Sequence, residues 1–209
     1  MTETRVTLIR HGQTEWNMDG RWQGQANVGL NPTGFAQAAY IAEHLRRADI
    51  SAIYSSDLVR ARQTAEEIAK CLGIPVIADA RLREIDVGEW QGLTSEEVLQ
   101  WDAERLHAVR SGGHTVRRPS GESWQDVADR SLAMFEQIVA VHRGKHVILV
   151  THGGTIRMLI SGLHLLNETH THVDNTSRTV LVRNEPDSAW QIDAFNQVDH
   201  LPIGERTDH

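Results

Sequence analysis

Two histidines sit at the same kind of place in this 209-residue chain. Val6 to Ile9 is a short apolar-rich run that ends in Arg10-His11-Gly12. His146 to Thr151 (HVILVT) is another, and His152-Gly153-Gly154 follows it. Each run reads as a buried strand with a histidine at its carboxyl end and glycine next. In open α/β sheets that edge is where ligands bind. Glycine there lets backbone N–H groups come close to an anion. If the two strands are neighbours, both imidazoles face one pocket. The chemistry expected there is anion binding beside two rings that titrate near neutrality. The chain has 12 histidines, so a histidine carries weight only where its neighbours support it.

The elements that would position these residues can be read in outline. Thr14 to Pro32 is rich in breakers (Gly20, Gly24, Gly29, Asn27, Asn31) and reads as loop. Thr33 is placed to cap a helix of about 14 residues with Ala36, Tyr40, Ile41 and Leu45 on its apolar face. Ser51 to Ser55 reads as a strand, Asp57 to Leu72 as a helix stopped by Gly73 and Pro75, and Ile74 to Ala78 as a third strand. The pattern loosens from Leu82 to Ser120, where Thr94 and Glu97 form a capping-box signature that starts a helix. Trp124 to His142 is a longer amphipathic helix, and Thr155 to Leu166 a further one. Thr179 to Arg183 and Trp190 to Phe195 read as a hairpin across the turn Asn184-Glu185-Pro186-Asp187. Strands alternating with helices predict a three-layer α/β/α sandwich with a mostly parallel sheet and an antiparallel edge. One domain over 1–209 is expected, with residues at about 85–122 inserted as a partial lid.

Bulk properties narrow the function. A net charge of −7 argues against a general binder of nucleic acid or anionic membranes. Cys71 is the single cysteine, so no intrachain disulfide and no cysteine-rich metal site can form. The N-terminal sequence MTETRVTLIRHG shows no secretory pattern, and no apolar run approaches bilayer length. These features lead us to expect a cytoplasmic protein.

Five stretches carry a family resemblance. LIRHGQTEWN (Leu8 to Asn17), SSDLVRARQTAEEIA (Ser55 to Ala69), LREIDVGEWQGLT (Leu82 to Thr94), PSGES (Pro119 to Ser123) and VTHGGTIR (Val150 to Arg157) occur in this order. They resemble the signature blocks of the histidine phosphatase superfamily, in its cofactor-dependent phosphoglycerate mutase branch. The resemblance implies a phosphoglycerate mutase-like fold and a set of roles. His11 would be the nucleophile that forms a phosphohistidine, since imidazole is partly neutral near pH 7 and its N–P bond is labile to water. Arg10 and Arg60 would clamp the phosphoryl oxygens with planar forks of donors. The LxRAxQTA context selects Arg60, whereas Arg62 points elsewhere on its helix. His152 would donate to the phosphoryl group as charge shifts, and Asn17 would add a neutral donor. Glu84, four residues before Gly88, would be the general acid and then the base. Gly12, Gln13, Thr14, Gln23, Gly24 and Gly153 would line the substrate or its phosphate. Asn27 departs from the family pattern, in which an acidic residue is frequent. No metal and no cofactor is implied, because the fixed positive donors replace the metal that many phosphatases use.

These roles imply a metal-independent phosphomonoesterase acting on a small phosphate ester, with a homo-oligomer left open. The alternative is a phosphoglycerate mutase-type phosphotransferase. Classical mutases carry a larger insertion and a proline-rich stretch after paired arginines, whereas here Arg117-Arg118 precede Pro119-Ser120-Gly121. The insertion also concentrates Arg105, His107, Arg110, His114, Arg117 and Arg118 with Trp90 and Trp101 in an otherwise acidic protein. Such a lid would suit a second anionic group on the substrate. A weaker expectation is a metal site at His170-Thr171-His172 with Asp174.

Overall fold

The computed structural model describes residues 2–165, 172–184 and 188–203. In chain order the elements are β1 (Glu3–Arg10), α1 (Glu15–Met18), α2 (Pro32–Leu45), β2 (Ala52–Ser55), α3 (Val59–Leu72), β3 (Val76–Ala78), α4 (Ser95–Trp101) and α5 (Ala103–Arg110). They continue with α6 (Trp124–Val141), β4 (His146–Thr151), α7 (Gly153–Gly162), β5 (Arg178–Asn184) and β6 (Gln191–Gln197). Short 3-10 turns lie at Ala80–Leu82 and Gly88–Trp90.

The strands form one sheet in the order β3-β2-β4-β1-β5-β6. β3, β2, β4 and β1 run parallel, and β5 and β6 add the antiparallel edge. Alternation along the central strands explains the three layers. Val6, Leu8, Val147 and Leu149 face Phe135 and Ile138 of α6 and Ile156 and Leu159 of α7. Ile9, Ile148 and Val150 face Ile41 and Leu45 of α2 and Ala61, Ala65 and Ile68 of α3. Each large side chain buried in this way contributes about 1.5–3 kcal/mol. A third apolar cluster lies within the inserted segment and the helices it meets. Ile85, Val87, Trp90, Val98, Leu106 and Val109 pack there with Val127 of α6 and Met158 of α7.

Several local expectations need correcting. α2 is capped by Asn31, whose side chain accepts from the Gly34 N–H at 2.8 Å, and not by Thr33. Pro32 takes the first helical position, where its missing N–H costs nothing. The expected loop from Thr14 to Pro32 contains α1, held by a capping box in which Asn17 supplies the third-position side chain. α7 begins at the glycines, two residues before Thr155. The expected end of that helix at Leu166 and most of the turn after Asn184 lie outside the described residues. α5 was not anticipated, whereas α4 starts on the Thr94–Glu97 capping box as the spacing predicts. No described helix is long and apolar enough to cross a membrane.

Candidate active site

β1 and β4 are neighbours, paired from Arg5–His146 to Arg10–Thr151, so His11 and His152 leave the sheet side by side. Their ring centroids are 5.2 Å apart and both side chains are buried. The partners of His11 define its tautomer. His11 Nδ1–H donates to its neighbour's carbonyl, Gly12 O, at 2.7 Å. That leaves the Nε2 lone pair facing Arg60, whose Nε–H lies 3.3 Å away. At His152, Nε2 lies 2.9 Å from the Ser56 hydroxyl, which also accepts from the Leu58 N–H. His152 Nδ1 is buried and has no partner among the described residues. Burial first, then the cations Arg60 and Arg10, hold the His11 pKa well below its ordinary 6.5. Burial and Arg60 do the same to His152. Both rings are neutral at pH 7, and His11 presents its Nε2 lone pair.

The arginines are fixed by backbone carbonyls. Arg60 is fully buried at the start of α3 and donates to Ala26 O at 3.0 Å and Gly24 O at 2.7 Å. Gly24 has φ of +50°, and a Cβ there would run into the Val87 side chain, so glycine is required for this carbonyl to turn inward. Arg10 donates to Val173 O at 2.6 Å. Burial lowers both guanidinium pKa values to about 10, which leaves them charged at neutrality.

Glu84 enters from the start of the inserted segment. Its carboxylate accepts from its neighbour Ile85 N–H at 2.9 Å and from Gly154 N–H, in the first turn of α7, at 3.0 Å. A Cβ on Gly154 would collide with the Glu84 carboxylate and Trp124, so the second glycine of the motif makes room for this acid. Arg130 of α6 holds the chain behind it, donating to the carbonyls of Arg81, Arg83 and Glu84 at 2.8, 2.6 and 3.0 Å. Glu122 in turn pairs with Arg130 at 2.9 Å.

These groups open onto a cleft of about 350 Å³ lined by Arg10, His11, Asn17, Gln23, Gly24, Arg60, Glu84 and Gly153, among others. His152 is buried beside His11 and does not line this cleft. Asn17 Oδ1 takes the Thr14 N–H at 3.1 Å, which directs its amino group away from the cap. Gly12, Gln13 and Thr14 do not line the cleft. The Gly12 N–H donates to Thr64 rather than facing an anion. Gln13 joins Asn31 and Gln37, and Thr14 caps α1. Arg62 is paired with Glu66 on the exposed face of α3. His172 sits 3.0 Å from Asp174, while His170 lies outside the described residues. Among the described residues no group of three or more His, Cys, Asp or Glu is arranged to hold a metal.

Sequence reasoning missed five contributors. Ser56 bonds to His152 Nε2 at 2.9 Å, and Arg130 struts Glu84. Asn175 donates to the His11 carbonyl at 2.9 Å from the segment before β5. Arg157 and Trp124 line the cleft opposite the arginines. Arg157 and Ser56 lie inside the quoted signature blocks, so they could have been found there. Asn175 had no periodicity to mark it.

The sheet edge thus brings two neutral imidazoles and two fixed guanidinium groups together with a carboxylate, an arrangement suited to holding a phosphate group. Comparison with known proteins agrees. The model of the histidine phosphatase superfamily (branch 1) matches residues 6–198, and the chain belongs to this superfamily and is a phosphatase of the histidine type. It is similar to the metal-independent phosphoserine phosphatase of Arabidopsis thaliana, 39% identical over 201 residues, covering 95% of this chain and 83% of that one. It is also similar to the probable phosphoglycerate mutase GpmB of Klebsiella pneumoniae, 36% identical over 207 residues and covering 94% of each. Among solved structures, mycobacterial glucosyl-3-phosphoglycerate phosphatase superposes with a TM-score of 0.81 at 34% identity, covering 92% of this chain and 98% of that one.

Proposed function

We propose that the protein hydrolyses the monoester of a small phosphorylated metabolite in two in-line transfers at His11, without a metal. The observation that carries this reading is the fixed tautomer of His11: Nδ1–H is bound to Gly12 O, and the Nε2 lone pair is left to attack. In the first transfer Nε2 bonds to phosphorus as the ester P–O bond breaks, and Glu84 gives its proton to the departing alkoxide. In the second, water gives a proton to the Glu84 carboxylate and bonds to phosphorus as the N–P bond breaks. Arg10, Arg60 and Asn17 meet the equatorial oxygens, with His152 beside His11 as a further donor, supplying the charge neutralisation that this reaction chiefly needs. Gln23, Gly24 and Gly153 shape the mouth of the cleft around the ester.

The test is a rapid acid-free quench during turnover of p-nitrophenyl phosphate in the presence of chelator. An acid-labile phosphoryl adduct on the wild type, absent from His11→Ala, is the expected result. Loss of turnover on chelation, or an adduct that survives His11→Ala, overturns the mechanism. The resemblance to GpmB motivates one comparison: strict dependence on a bisphosphoglycerate primer with no net phosphate release would make the protein a mutase.

A further inference from the structure

The peptide between His11 and Gly12 is held at both ends by side chains from distant parts of the chain. Its N–H, on Gly12, donates to the Thr64 hydroxyl of α3 at 3.0 Å. That hydroxyl donates in turn to Arg60 O at 2.8 Å. Its carbonyl, on His11, accepts from the Asn175 side-chain amide at 2.9 Å, across 164 residues of sequence. Asn175 is 2% exposed, and the same amino group lies 3.4 Å from Asn17 Oδ1. The His11 carbonyl can only accept, so the nitrogen of the amide, not its oxygen, must face it.

The backbone around Asn175 is bent to make this contact. Thr176 is buried with φ of +54°, a left-handed conformation in which a β-branched residue is a genuine outlier. Its N–H reaches Arg10 O at 3.0 Å and His11 O at 3.3 Å. Its hydroxyl donates to Asn175 O at 2.8 Å. Val173 O takes the Arg10 guanidinium at 2.6 Å. Residues 173–177 form a strap across Arg10 and His11, just past the last β1–β5 pair at Ile9 and Arg178. Strained backbone of this kind persists where its surroundings over-determine it, and it concentrates at functional sites.

The ring follows the peptide. His11 Nδ1–H donates to Gly12 O at 2.7 Å, so the direction of Nε2 depends on how the His11–Gly12 stretch is turned. Thr151 O and Thr64 hold the two N–H groups of that stretch, and the strap holds the carbonyl between them.

We propose that Asn175 is a positioning residue for the nucleophile, holding the His11 carbonyl so that Nε2 stays in line with phosphorus. Asn175 does not line the cleft, so it acts through His11 and not on the substrate. The inference rests on the phosphatase reading above and adds a residue to its machinery. A misdirected nucleophile costs rate steeply, because few approach geometries are productive. Phosphate binding is less sensitive. Arg10 and Arg60 keep their own carbonyl partners, and the Thr14 N–H still holds Asn17 Oδ1 at 3.1 Å.

Two variants assayed with p-nitrophenyl phosphate test it. Asn175→Leu keeps the volume and removes the donor, and the Thr176 N–H remains on the His11 carbonyl, so no buried acceptor is orphaned. Its kcat should fall about 10- to 100-fold with KM within about threefold of the wild type. Vanadate must take Nε2 in line, as phosphorus does in the transition state, so it should inhibit this variant about 10- to 100-fold less well. Inhibition by inorganic phosphate should change by less than about threefold. A residue that only supported the fold would move both inhibitors together or neither. Asn175→Asp adds a pH readout, since a carboxylate cannot donate to the His11 carbonyl and a carboxylic acid can. Its kcat relative to the wild type should fall about tenfold as pH rises from about 5 to 9. The proposal is overturned by a leucine variant that keeps its kcat, by parallel changes with the two inhibitors, or by an aspartate variant whose ratio to the wild type is flat. The aspartate profile decides the matter should Asn175→Leu fail to fold. Absence of phosphate release by the wild type would defeat the phosphatase reading, and this proposal with it.

Discussion

At the scale of single residues, the proposed reaction depends on where a proton is fixed. Gly12 O holds the Nδ1–H of His11 and so leaves its Nε2 lone pair free for attack. Glu84 is the only carboxyl side chain that lines the cleft among the described residues. We expect Glu84→Gln to lower kcat about 10²- to 10⁴-fold on alkyl phosphates, whose leaving oxygen needs a proton. The loss should be much smaller in the rate of adduct formation from p-nitrophenyl phosphate, whose leaving group departs as the phenolate. Equal losses in rapid-quench measurements of both esters would remove Glu84 from the role of acid. Arg10, His11, Arg60 and Glu84, which the cleft brings together, each stand inside a quoted block, as does His152, which is buried beside His11. Gly12, Gln13 and Thr14 stand in the same block, yet they face away from the cleft. A sequence block marks what a site needs without separating the groups that touch substrate from those that hold them.

At the scale of elements, Glu84 is positioned by α6, through a side chain that does not line the cleft. Arg130 donates to the backbone carbonyls of Arg81, Arg83 and Glu84, and Glu122 pairs with it. Arg130→Met should lower kcat about 10- to 100-fold with little change in KM for p-nitrophenyl phosphate, since the phosphate clamp is untouched. A rise in KM with kcat preserved would argue that Arg130 serves binding instead. A second expectation concerns Gly154→Ala: its Cβ would meet the Glu84 carboxylate, so kcat should fall at least tenfold, roughly the cost of a displaced acid. Full activity in that variant would show that Glu84 can work from another position. Element existence was largely visible in the sequence because hydrophobic period and glycine or proline stops are local signals. The caps were harder. Asn31-Pro32-Thr33 offers two side chains able to cap, and the proline decides between them by occupying the first turn. α5 escaped notice because only Leu106 and Val109 of it are buried, too few to set a period.

At the scale of the whole molecule, stability and pH are linked through buried imidazoles. His11 and His152 are held well below 6.5, and burial with Arg5 lowers His146 to about 4. In the unfolded chain these rings take up protons near 6.5, whereas in the fold they resist until lower pH. The unfolded state therefore binds more protons between those values, and stability falls as pH drops through them. Their contribution is complete above 6.5 and is lost progressively toward the depressed values. The melting temperature should be nearly flat from pH 8 to 7 and decline between pH 6.5 and 4, with a shallower decline in His146→Gln. A melting temperature that rises on acidification across that window would contradict the assignment of neutral rings.

The sheet order carries a consequence for synthesis on the ribosome. β1 emerges first, yet it lies between β4 and β5, and Asn175 and Val173 brace His11 and Arg10 from just ahead of β5. Every group that would touch phosphorus has been translated once Arg157 is made. A chain released at that stage should nonetheless be silent, because its opening strand has half of its lattice of partners missing.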